Sequence, residues 1–120
     1  MPNVGGSDSG KPLAWLHGEV RTPPLSAAAR IETGVLLRKL QRGDSLGMPH
    51  SRPMPAIGKR CHELRIVDEE VTWQLICRID PDAIVVVDVF KKKARATPQA
   101  VLDTCAERLR RYGSAAGEKE

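Results

Sequence analysis

The run Ile84-Val85-Val86-Val87 limits what this chain can fold into more than any other feature. Four consecutive β-branched or aliphatic residues suit a strand covered on both faces, so they belong inside a sheet and not at its rim. From Ala83 to Tyr112 the chain then reads as one unit: a strand to Phe90, four cations at Lys91, Lys92, Lys93 and Arg95, and a helix announced by Thr97-Pro98. Thr97 is expected as N-cap and Pro98 at the first helical position. Val101, Leu102, Cys105, Ala106, Leu109 and Tyr112 recur as the apolar stripe of that helix. A rigid strand that ends in fixed positive charge suits a polyanion, because function concentrates on loops positioned by a scaffold.

A chain of 120 residues allows one domain with one modest core. Aromatic residues make up only 3%, so the core must be aliphatic, with Trp15, Trp73, Phe90 and Tyr112 as its only large rings. That scarcity argues against recognition of bases by stacking on an aromatic platform. The net charge of +4 permits a nucleic-acid partner without requiring one. Its distribution says more. Arg52, Lys59, Arg60 and Arg65 stand against Glu63 alone, and seven bases between Lys91 and Arg111 stand against Asp103 and Glu107, so the remainder of the chain is net acidic.

Cys61, Cys77 and Cys105 are odd in number and have no metal-like spacing, which predicts small buried thiols, no metal and no cofactor. Residues 1–10 are Gly-rich and polar, and no segment has membrane-spanning length. The expected organisation is a disordered tail over 1–10, a domain over 11–113 and a polar tail over 114–120, in a cytoplasmic protein.

Leu13 to Val20 alternates as a first strand, with His17 inside it as a structural or surface residue. Thr22 or Ser26 is expected to cap a helix over Ala27–Gln41. Its inward stripe is predicted as Ala28, Ile31, Val35, Leu36 and Leu40, with Arg30, Arg38 and Lys39 outside. Gly34 marks a close contact or a weak point, and Gly43 the stop. Asp44 to Gly58 holds Pro49, Pro53 and Pro55 and reads as an irregular, binding-type loop. Two alternating strands follow, Cys61 to Val67 and Val71 to Ile79, turned at Asp68-Glu69-Glu70. Matching their apolar faces sets Leu64 opposite Leu75, Ile66 opposite Trp73 and Arg65 opposite Gln74. Asp80-Pro81-Asp82 returns the chain into the aliphatic strand. The fold class is α+β: an antiparallel-rich sheet with an N-terminal helix or helical hairpin and a C-terminal helix, in the order β-α-β-β-β-α.

The E-L-R-I at Glu63 to Ile66, the F-x-K-K at Phe90 to Lys93, Thr97-Pro98, the L-x-x-G at Leu40 to Gly43 and Ile57-Gly58 occur in this order. In this the chain resembles the phage-derived, HigB-like branch of the RelE/ParE toxin superfamily over residues 13 to 112. The resemblance implies the toxin of a bacterial toxin–antitoxin pair: a metal-independent ribonuclease that enters the ribosome and cuts messenger RNA by attack of a ribose 2′-hydroxyl on the adjacent phosphate. It implies as partners the ribosome, messenger RNA and a cognate antitoxin of helix-turn-helix type, with no membrane.

Against that task, Arg65 can grip phosphate bidentately and stabilise developing charge. Lys92 or Lys93 serves as general base where neighbouring cations disfavour its protonated form. His62 titrates nearest neutrality, but strand alternation turns it away from Arg65. Arg52, Lys59, Arg60, Gln74, Arg78, Lys91, Arg95, Arg108 and Arg111 are the candidate RNA contacts, although a helix dipole alone would also favour the arginines ending the last helix. Two departures stand out. Relatives commonly carry an aromatic-Arg pair where this chain has Trp73-Gln74, which leaves Arg78 as the candidate substitute, and Ala94 replaces a Thr. A gyrase inhibitor of ParE type and an RNA-binding phage remnant without cleavage are the alternatives.

Overall fold

The computed structural model describes residues 10–16, 25–48, 50–93 and 96–115. His17, Thr22, Pro49, Ala94, Arg95 and most of both expected tails lie outside the described residues. Five strands form one mixed sheet with a helix on each face. In chain order the elements are β1 (Leu13–Trp15), α1 (Ala27–Gln41), β2 (Ser51–Pro53), β3 (Cys61–Asp68), β4 (Val71–Ile79), β5 (Ile84–Lys91) and α2 (Gln99–Ala115). Across the sheet the order is β1-β5-β4-β3-β2, with β1 parallel to β5 and every other pair antiparallel.

The expectation for the aliphatic run holds. Ile84 and Val86 enter the core under α1, Val85 and Val87 the core under α2, and all four are fully buried. The β3–β4 register is the one that apolar matching required: Leu64 faces Leu75, Ile66 faces Trp73 and Arg65 faces Gln74. Glu69 makes the tight turn with φ 57°.

The expected element order lacked β2. Three residues ending in Pro53 give no alternation to read, yet Ser51–Pro53 pairs with His62 to Leu64 at the sheet edge, where a proline removes no needed donor. The first described helix also follows β1 and so is not N-terminal.

α1 has the predicted bounds, with Ser26 as N-cap: its hydroxyl accepts from the Ala29 N–H at 3.1 Å. The Ser26 N–H donates to Asp68 Oδ2 at 3.0 Å, tying the helix to the end of β3. Of the predicted inward stripe, Leu36 and Leu40 are buried, but Ala28, Ile31 and Val35 are not. Ala29, Leu36, Leu37 and Leu40 point inward, while Ile31 is 68% exposed and Val35 faces solvent. Two apolar stripes compete on this helix, and the one with three leucines covers more of the sheet. Trp15, expected in the core, is 47% exposed on edge strand β1.

Gly34 has open space where a Cβ would stand, so no close contact requires it. Gly34→Ala should stabilise the protein by about 0.5–1 kcal/mol, read as a raised urea midpoint with unchanged slope.

α2 begins one residue later than expected. The Pro98 carbonyl accepts the first helical N–H groups, from Val101 at 3.0 Å and Leu102 at 3.2 Å, so Pro98 holds the cap position. The buried Thr97 hydroxyl has no hydrogen-bond partner among the described residues. Cys105 and Leu109 fix the helix on the sheet. The three cysteines are unpaired and buried, as expected; burial raises the Cys61 thiol and pushes Cys77 and Cys105 up to about 12.

Candidate nucleic-acid interface

A β-bulge in β5 decides what shares a face with Arg65. Ile76 pairs with Asp88, but the next residue, Cys77, pairs with Val86, which leaves Val87 as the extra residue. Up to Val87, odd positions face α2. Beyond the bulge the phase is reversed: Val89 packs on the α1 core and Phe90 on the α2 core. Phe90 thereby stands opposite Gln74, which stands opposite Arg65, giving one row across three strands on the α2 face.

Beside this row, where β5 ends and α2 begins, lies a pocket of about 230 Å³ lined by Gln74, Asp88, Phe90, Lys91, Lys93 and Val101, among others. Gln74, 3% exposed, contributes an uncharged amide to its lining. Lys91 and Lys93 are exposed at its wall. Lys92 is half-buried, and its N–H donates to the Thr72 carbonyl at 2.8 Å. The ladder therefore continues one residue past β5, and Lys92 stands two residues along β4 from Gln74. Arg65 and all three lysines make no ion pair among the described residues.

Most of the other predicted contacts are engaged inside the protein. Arg52 binds the buried Glu63 at 2.8 Å. Arg60, at φ 64°, and Arg78 both reach the buried Asp80, at 3.2 and 2.8 Å. Arg78 also lies 5.8 Å from the Tyr112 ring centre, so it is held away from Gln74. Arg108 donates to the Val87 carbonyl at 2.9 Å and approaches Asp88 at 3.4 Å. The reason is physical: Glu63 and Asp80 are buried carboxylates, and a buried charge needs a partner. Arg111 is exposed, 3.7 Å from Glu107; Lys59 is exposed in the turn before β3.

His62 lies on the opposite face, as alternation predicted. It touches Ser51 Oγ through Nδ1 at 3.3 Å and lines a pocket of about 200 Å³ with Lys11, Asp44, Ser51 and Ile79. Burial lowers its pKa below 6.5. The unfolded chain therefore takes this proton more readily than the folded one, so the His62 contribution is complete above the unfolded value and is lost as pH falls through the folded value. Urea melts should show stability declining as pH drops below about 6.5, with a shallower decline in His62→Gln.

The residue that sequence reasoning missed is Asp88. Simple alternation along β5 assigns it to the α1 face, and only the bulge brings it to the pocket. Among the described residues no group of three or more His, Cys, Asp or Glu could hold a metal ion, and no helix is long and apolar enough to cross a membrane.

A family model described as Phage derived protein Gp49-like (DUF891) matches residues 24–110. No curated protein and no solved structure matches.

Proposed function

Because the chain belongs to the phage-derived Gp49-like family, a membership compatible with a toxin of a toxin–antitoxin pair, we propose that it is such a toxin, a ribosome-dependent endoribonuclease of the HigB-like RelE/ParE kind acting on messenger RNA. The observation that carries this reading is the segregation of its cations. Four arginines serve buried carboxylates or the bulge, whereas Lys91 and Lys93 line one pocket, and Arg65, paired across the strands with its lining residue Gln74, and the neighbouring Lys92 make no ion pair among the described residues.

In this reading Arg65 clamps the scissile phosphate and stabilises the charge that grows as the 2′-oxygen attacks. Gln74 supplies a neutral hydrogen-bonding floor, Phe90 an apolar wall, and Lys92 and Lys93 hold flanking phosphates. The partners are messenger RNA in the ribosome and a neutralising antitoxin that covers the same cations.

The test is a reconstituted bacterial translation reaction with 5′ ends mapped by primer extension. Cuts confined to translated message, at fixed positions within codons, are expected. RNA affinity that falls steeply with salt while the message stays intact would instead identify a binding protein without cleavage, the reading that the uncharged Gln74 favours.

A further inference from the structure

Cleavage by a 2′-hydroxyl requires a group that accepts its proton; Lys92 and Lys93 accept one only as neutral amines, whereas an ionised carboxylate accepts it as it stands. Among the described residues lining the pocket, the one carboxylate is Asp88. Resting on the nuclease reading above, we propose that Asp88 is the general base of the reaction and that Arg108 is its positioning residue.

The geometry supports both roles. The bulge at Val87 places Asp88 on the same face as Gln74 and Phe90, and bulges commonly re-aim a side chain beside a site. Asp88 Oδ1 accepts the Val89 N–H at 2.9 Å and has Arg108 Nη1 at 3.4 Å. Oδ2 has no hydrogen-bond partner among the described residues. One oxygen is thus fixed and the other is left to accept a proton, on a side chain 16% exposed. Arg108 also binds the Val87 carbonyl, so a single guanidinium holds both the bulged backbone and the carboxylate. The other nearby candidates fail on placement: Glu63 is bound by Arg52, and His62 is across the sheet.

In the step itself, Oδ2 takes the 2′-hydroxyl proton as the 2′-oxygen bonds to phosphorus. The bond from phosphorus to the 5′-oxygen breaks and its electron pair leaves with that oxygen. A proton from Lys93 or water completes a 5′-hydroxyl product, and the other product is a 2′,3′-cyclic phosphate. Asp88 then returns its proton to solvent.

The experiment compares wild type, Asp88→Asn, Asp88→Glu and Arg108→Gln in single-turnover cleavage of ribosome-bound message across pH, with Tm and half-saturating protein concentration measured for each. Asp88→Asn keeps the volume and the acceptor for Val89. It should lower the maximal rate about 100-fold or more, with Tm and half-saturation nearly unchanged, and Asp88→Glu should recover part of the loss. The wild-type rate should fall on the acid side. Arg108→Gln should lower the maximal rate about 10-fold with half-saturation unchanged, because the carboxylate and the bulged backbone lose the group that orients them.

Cleavage by Asp88→Asn at the wild-type rate, or a loss that tracks a lower Tm or weaker binding, overturns the base assignment and leaves Asp88 as a clamp between β5 and α2. A wild-type maximal rate in Arg108→Gln overturns the positioning role, and a wild-type rate that does not fall on the acid side overturns the base assignment even if Asp88→Asn does not fold. Absence of cuts by wild type instead defeats the nuclease reading itself, and the Asp88 role with it.

Discussion

Asp80→Ala should destabilise the protein by about 3–5 kcal/mol, the loss expected when one partner of a buried ion pair is removed. Asp80 is 5% exposed at the β4–β5 turn, where its N–H also bonds the Ala83 carbonyl at 2.9 Å. Its carboxylate takes Arg78 Nε and Nη2, both at 2.8 Å, and the Arg60 guanidinium at 3.2 and 3.3 Å. Arg78 in turn lies over Tyr112 of α2, so one carboxylate links the start of β3, the end of β4 and the last helix. Arg60 is half exposed and contributes little by itself; Arg78 is 12% exposed and carries most of the penalty. Total stabilities of small domains are about 5–15 kcal/mol, so calorimetry should show Tm lowered by roughly 15 °C. A shift of only a degree or two would mean that solvent replaces the carboxylate at little cost.

Arg65→Ala should leave Tm almost unmoved and lower cleavage of translated message by about 100- to 1,000-fold. The two halves of that result have one origin. Arg65 is exposed and bound to no carboxylate among the described residues, so folding gains little from it. The cross-strand pairing with Gln74 nonetheless fixes its place beside the pocket. Arg65→Lys should rescue poorly, since an ammonium cannot reproduce a planar two-point grip on phosphate. Full activity in Arg65→Ala, measured by primer extension, would remove Arg65 from the site. Asp80→Ala and Arg65→Ala thus report separately on the cations that hold the fold and those left for a ligand.

Much of the fold was legible because period-2 and period-3.6 patterns are local. The bounds of α1 and the pairing of β3 with β4 followed from alternation, a cap and matched apolar faces. The inward face of α1 followed only for Leu36 and Leu40, because Ala28, Ile31 and Val35 form a second apolar stripe that only competition for the sheet can reject. The candidate site was less legible. Basic residues look alike in sequence, and what divides them is a partner 11 residues away for Arg52, 20 for Arg60 and 20 for Arg108. Asp88 was hidden by the bulge, which no alternating pattern announces.

That bulge gives β5 two independent halves. Ahead of Val87 the strand answers only to packing, and its aliphatic residues can be exchanged for others of similar volume as the two cores require. Past Val87 the alternation starts again, so Asp88 and Phe90 take their direction from the irregularity and not from the residues before it. One strand therefore supplies a core that tolerates repacking and a chemical surface whose direction does not depend on that packing.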